Sequence, residues 1–368
     1  MRGSAGAYAD TMTIPGMTGS LSANSNAINF DLGPLGKTYV TGAVSGLAFW
    51  QDDAAPGDRS FQWDLDNGQV FIQKIDGLVQ YFVQVGAYSL PDIGVPYLHS
   101  ESATSDFYGV VPQAFLKIVP TTSFSLEAGK LPTLIGAEYT WSFENMNIER
   151  GLLWNQENAV NRGVQANYAT GPLTIAVSWN DGMYSDRLSW LWGSIAYAID
   201  GANTVTAIAS GNLAHTGYSS LANPLFLNNE DLYNLIYTYN SGPWTITPYA
   251  QYTYVAKNPA IGIAHSASTA GAALFVKYAF DDNFSLASRL EYIFSTGSLA
   301  DGAPSLIYGP GSKAWSITIT PTYQKGIFYG RAELSYLRAD ETTPGFALGP
   351  TASDNSQTRF VFETGVLF

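Results

Sequence analysis

The chain has no cysteine, only 3 histidines, and 13% charged residues, about half the share usual in a soluble domain. The missing cysteines exclude a disulfide scaffold and thiolate metal sites. Basic residues are scarce too: 17 Lys and Arg against 30 Asp and Glu leave a formal net charge of −13, so there is no basic footprint for nucleic acid. Although 46% of the 368 residues are hydrophobic, no uninterrupted apolar run reaches the roughly eighteen residues of a membrane helix. A transmembrane β-barrel reconciles these facts, because its lipid face uses only alternate residues and spreads the apolar signal thinly.

Catalytic and metal-binding chemistry also finds little support. His99, His215 and His265 fall in three different predicted loops, with no spaced carboxylate or second histidine to make a cage or a triad. Asp64-Leu65-Asp66-Asn67-Gly68 has the look of a calcium loop but lacks the register and the closing glutamate, and reads as a solvated turn. No catalytic residue, metal or cofactor is expected.

Short apolar-patterned runs separated by turns make up most of the chain. Met1–Ser4 (MRGS) reads as a vector-derived start on a mature chain whose export signal has been removed. Residues 5–36 show no sustained period and read as a flexible end, a lumen plug or a periplasmic extension. The barrel is expected over 37–368. Its first run is Thr38–Gln51, followed by an acidic loop carrying Asp52, Asp53, Asp58, Asp64 and Asp66, then a run over Gln69–Ile75. The next run shows the logic: Val79, Tyr81, Val83, Val85 and Ala87 share one face, and Gln80, Gln84 and Gly86 the other. Period two with a glutamine face predicts a wet interior.

A soluble sandwich would also alternate, so the connections must discriminate. Seven tight turns, near residues 76, 121, 171, 201, 241, 282 and 325, alternate with eight longer connections near 52–68, 90–112, 130–161, 180–190, 214–231, 257–267, 296–312 and 339–357. Short-long alternation is the rhythm of an outer-membrane barrel, and these joints connect about sixteen strands with both termini on the periplasmic side. Late strands keep the pattern: Phe284, Leu286, Leu290, Tyr292 and Phe294 oppose Arg289 and Glu291; Phe328, Ala332, Leu334 and Tyr336 oppose Arg331 and Glu333. Tyr and Trp near the strand ends supply an aromatic girdle, and the final run TRFVFETGVLF ends on Phe368.

With these residues in hand, the chain resembles the OmpL-like putative beta-barrel porin family of bacterial outer membranes. The matching segments are Gly129-Lys130-Leu131 through Gly136-Ala137-Glu138, Asn145 through Arg150, Arg162-Gly163-Val164, the strand FSLASRLEYIF (284–294) and the hairpin AWSITITPTYQKGIFYGRAELSY (314–336). The resemblance implies passive diffusion of small hydrophilic solutes and ions across the outer membrane, with outer-membrane lipids as the surroundings. Glu149 stands where a serine or threonine is expected, and Arg162 where a histidine often precedes the Gly-Val pair, so selectivity does not carry over.

Residues 130–161 form the longest connection and carry Trp141, Phe143 and Trp154, too many large aromatics for disorder. An inward-folded third loop is therefore expected to narrow the bore. Its Lys130, Glu138, Glu144, Glu149, Arg150 and Glu157 would face wall charges, namely Arg162, Arg289, Glu291, Arg331, Glu333 and Arg359. Opposed acid and base rows would set a transverse field. The bland reading is that each wall pair merely neutralises itself. The three aromatics either form a sugar-stacking track or anchor the loop to the wall. Lys117, Glu127 and Lys277 read as vestibule charges. Gly42, Ala43, Gly46 and Ala48 would allow close packing in a homo-oligomer, and a monomer reads equally well.

Overall fold

The computed structural model describes Met12 and residues 21–368 except Leu221. Sixteen strands close a single antiparallel barrel: β2 (Lys37–Gln51), β3 (Phe61–Lys74), β4 (Val79–Tyr88), β5 (Gln113–Thr121), β6 (Phe124–Pro132), β7 (Val160–Thr170), β8 (Leu173–Asn180), β9 (Trp190–Ala198), β10 (Asn203–Asn212), β11 (Glu230–Ser241), β12 (Trp244–Val255), β13 (Ala267–Ala279), β14 (Phe284–Ser295), β15 (Lys313–Lys325), β16 (Phe328–Asp340) and β17 (Ser356–Leu367). Each pairs with its sequence neighbours, and β17 closes on β2 from Arg359↔Gln51 to Leu367↔Ala43. Closure removes the exposed edges that an open sheet of this size would carry. Short turns and long connections alternate around the ring as their composition predicts.

One expectation needs correction. Asp64 and Asp66 lie in β3 rather than in the first loop, and DLDNG is strand, not a solvated turn. A bulge between Ser45 and Gly46 leaves Asp66 as the extra residue, so the inward side chains change from Gln62, Asp64 and Asp66 to Asn67, Gln69 and Phe71. A parity break of this kind hides a strand from any period-two reading. Within residues 5–36, β1 (Ile28–Asp31) pairs with the first residues of β2, from Ile28↔Val40 to Asp31↔Lys37. It lies on the edge of β2 that β17 leaves open once it ends at Leu367. Leu21 is buried beside Ala43, Phe71 and Leu367, and Ser22 exchanges hydrogen bonds with Gln324 at 2.7 and 2.9 Å. Met1–Ser4, residues 5–11 and residues 13–20 lie outside the described residues.

The outer face is apolar. Trp63, Leu116, Val164, Trp179, Leu290 and Leu334, on strands around the ring, are exposed, as on the lipid-facing side of a transmembrane barrel. An aromatic chain runs along the short-turn end: Trp244–Tyr278, Tyr278–Phe280 and Phe280–Phe284, with centroids 4.6, 4.9 and 5.2 Å apart.

The inner face is polar as the glutamines predict, yet it is not simply wet. Gln80, Gln84, Arg289, Arg331 and Arg359 are all at most 1% exposed. Towards the long loops the lumen holds an apolar cluster: Ile93, Leu152, Leu153, Met183 and Tyr308 from the connections pack on Trp190, Trp192, Leu232 and Ile293 of the wall. Alternation states which way a side chain points, not whether it meets water or a folded loop.

Leu290 and Arg289 are adjacent in β14 and point to opposite faces. Leu290→Arg is expected to destabilise the barrel by about 2–4 kcal/mol if it sits near the bilayer midplane, read as a lower denaturant midpoint for unfolding from lipid vesicles.

Candidate functional site: the connection 133–159

The connection from β6 to β7 is held by side chains that alternation turns inward on β14, β16 and β17. Arg289 donates Nη1 to Glu138 Oε1 at 2.7 Å and to the Glu149 carbonyl at 2.6 Å, while its Nε lies 3.0 Å from Glu291 Oε2. Arg331 donates to the carbonyls of Asn145 and Ser142, both at 3.0 Å, and pairs through Nε with Glu363 at 2.8 Å. Arg359 reaches Glu149 Oε1 at 2.7 Å, the Asp92 carbonyl at 2.6 Å and Gln51 at 2.8 Å. A guanidinium offers five donors in a rigid fork, so one wall arginine can satisfy several loop carbonyls at once.

The acids of the wall work in the reverse sense. Glu333 accepts the backbone N–H groups of Ile148 and Glu149 at 2.6 and 3.0 Å, and the Thr320 hydroxyl at 2.6 Å. Glu291 accepts from Ser316 at 2.6 Å. Gly151 packs against it so closely that a Cβ there would stand 2.1 Å from Glu291 Oε1. The expected opposition of a loop acid row and a wall base row is therefore only partly present. Glu138 meets Arg289 and Glu149 meets Arg359, whereas Arg331 spends its charge on wall Glu363 and loop carbonyls.

Other candidates lie elsewhere. Arg150 faces Asp92 (2.6 Å) and the Pro91 carbonyl (3.1 Å), tying the loop to the preceding long connection rather than to the wall. Glu144 is half-buried and has no ion pair, and desolvation pushes its carboxyl up to about 8. Glu157 accepts from the Tyr249 hydroxyl at 2.6 Å and meets no base. Lys130 and Arg162 oppose each other across β6 and β7, on the face shared with exposed Val164 and Trp179. Arg162 bonds Asp181 at 2.7 Å and lies 3.9 Å from the Tyr184 ring centroid; Lys130 donates to the Val111 carbonyl at 2.8 Å. Both leave the lumenal set, because one strand residue more or less reverses the face.

Trp141 and Phe143 are buried and pack on Tyr88 and Phe71, with centroids 4.7 and 5.7 Å apart, and Trp154 lies 4.7 Å from the Arg150 guanidinium. They anchor the loop and line no track. Lys117 and Glu127 sit 3.6 Å apart. A cavity of about 40 Å³ lies under the loop, lined by Glu138, Tyr139, Glu144, Asn147, Thr247 and Phe275 among others. Glu363, Asp66, Asp92 and Gly151 were not among the sequence candidates. Glu363 shares a face with Arg359 four residues earlier and was legible from alternation; Asp66 was hidden by the bulge.

Two outcomes follow from this geometry. Arg331→Met should cost about 3–5 kcal/mol, since it strands the buried Glu363 charge. Adding Glu363→Leu should restore much of that stability while leaving 133–159 newly open to protease, because the carbonyl clamp stays lost. Separately, the Glu144 carboxyl is raised in the fold, so its contribution is complete below the unfolded value of 4.5 and disappears as pH rises towards about 8. The unfolding midpoint should fall across that window, and Glu144→Gln should flatten the fall.

Comparison with solved structures gives the same fold at low identity. OmpT of Vibrio cholerae lacking loop L8 superposes with a TM-score of 0.59 at 13% identity, covering 90% of this chain and 99% of that one. The outer membrane channel DcaP of Acinetobacter baumannii gives 0.58 at 12% identity, covering 90% and 97%. Salmonella typhi OmpF, solved with daunomycin, gives 0.55 at 13% identity, covering 93% and 100%. A search of the curated proteins finds no match. The family model described as "Putative beta-barrel porin-2, OmpL-like" matches residues 37–368, the whole closed barrel, and the chain belongs to that family.

Proposed function

We propose that the protein is an outer-membrane channel through which small hydrophilic solutes and ions diffuse passively, and that connection 133–159 folds inward as its constriction. The observation that carries the reading is the clamp. A closed barrel with an apolar outer face holds this connection on Arg289, Arg331 and Arg359 of its inner face. Inward charges on a lipid-embedded barrel are consistent with an aqueous path. Family membership supports a channel rather than an enzyme. A Gram-negative type outer membrane is the setting that this reading requires.

One observation favours a second reading, an occluded barrel acting as a structural or receptor protein. An apolar cluster joins wall residues to the long connections, and the wall arginines are buried.

Reconstitution into a planar bilayer separates the two. The channel reading expects discrete conductance steps in simple salt; a folded sample that stays electrically silent supports occlusion. Selectivity then tests the constriction. Half-buried Glu144 borders the cavity, and its carboxyl is pushed up to about 8, so Glu144→Gln should move the reversal potential towards anions above that pH and leave it unchanged well below. Arg331→Met should act mainly on step size, through release of the loop. Unchanged values in both variants would place the narrowest point elsewhere.

A further inference from the structure

Connections 52–60, from β2 to β3, and 89–112, from β4 to β5, enclose a second cavity. It has a volume of about 480 Å³ and is lined by Asp58, Arg59, Gln62, Pro96, Tyr97 and His99 among others, a size that suits a small organic molecule. Its walls are held from the barrel. Tyr97 meets Phe49 of β2 edge to face, with centroids 4.9 Å apart, and the His99 ring at 4.8 Å. Arg359 donates to the Val95 carbonyl, beside Pro96, at 2.5 Å. None of the named lining residues belongs to connection 133–159.

The acids at this cavity are saturated. Asp58 Oδ1 accepts the Arg59 backbone N–H at 2.8 Å and Gln62 Nε2, while Oδ2 accepts Gln51 Nε2 at 2.8 Å and the Tyr97 N–H at 3.1 Å. Four donors fill the acceptor sites of one carboxylate. Asp64 is filled in the same way, by the Leu65 N–H at 2.8 Å and by the Ser100 N–H and hydroxyl at 2.7 and 2.9 Å, with His99 Nδ1 at 3.2 Å.

The base is not. Among the described residues the exposed Arg59 guanidinium has no ion pair and no hydrogen bond, although Asp58 is its neighbour in sequence. Gln62 is the second group with capacity left: it is 4% exposed, its Nε2 is held by Asp58 and by the Arg59 carbonyl at 3.3 Å, and its Oε1 has no donor.

A guanidinium offers its donors in a planar fork that matches the two oxygens of a carboxylate. An amide oxygen without a donor matches a hydroxyl. Pro96 and Tyr97 give apolar surface for the carbon skeleton between these groups.

We propose that the cavity between connections 52–60 and 89–112 binds a small hydroxylated carboxylate, a sugar acid by class. Its carboxylate sits on the Arg59 guanidinium, a hydroxyl donates to Gln62 Oε1, and its body lies against Pro96 and Tyr97. Binding there requires no passage through the barrel.

The test is thermal unfolding of the full chain folded in detergent, titrated with sodium glucuronate at constant ionic strength. The parent midpoint should rise. Arg59→Gln removes the charge from a side chain that holds nothing else, and should need about tenfold or more glucuronate for the same rise. Arg187→Gln, in connection 181–189, should respond as the parent does. Glucose, which lacks the carboxylate, and sodium acetate, which lacks the hydroxyls, should each raise the midpoint less than glucuronate does at the same concentration. No rise in the parent overturns the proposal, as does an equal rise in Arg59→Gln or an equal rise with glucose or acetate.

Discussion

The structure depends on how charge is satisfied inside a closed barrel. A wall arginine that points into the lumen must find acceptors, and in the low dielectric created by a folded loop those acceptors must be close and well aligned. Arg289, Arg331 and Arg359 find them in backbone carbonyls of the long connections as much as in carboxylates. Carbonyls cannot be neutralised by pH or exchanged by a side-chain rotation, so the clamp fixes the path of the loop. Glu333 completes the fixing from the opposite sense by taking two loop N–H groups.

This arrangement changes what the charges are for. A row of acids facing a row of bases across water would set a field; charges consumed by carbonyls and by neighbours on the wall set a shape. Glu144 and Glu157 are the exceptions within the loop, since neither carboxyl meets a base; Glu144 borders a small cavity. The arginines position, and Glu144, whose carboxyl burial pushes up to about 8, contributes a field only above that pH.

Towards the long loops the inner face has a different physics. Trp190, Trp192, Leu232 and Ile293 meet apolar residues from four connections, so packing rather than pairing holds the loops there. Glu157 and Glu230 differ from the other buried acids: Glu157 Oε2 and both carboxylate oxygens of Glu230 have no hydrogen-bond donor.

The sequence by itself determined the barrel. Period two is a property of the pleat, local to each strand, and the alternation of short turns with long connections is equally local. Strand number, closure, lipid face and the inward direction of Arg289, Glu291, Arg331, Glu333 and Arg359 followed from these. Local reading failed where local rules broke: the bulge hid Asp64 and Asp66 in β3, and the outward parity of Lys130 and Arg162 was lost beside a long loop. Tertiary structure alone decided who meets whom. Pairing across a lumen depends on how far each strand is staggered around the ring and on the path of a loop without period, and neither leaves a repeating trace in the chain. Hence Arg289 with Glu138 and Arg359 with Glu149 could be listed as candidates but not matched, and the burial of inward polar residues under loop carbonyls rather than water was not legible at all.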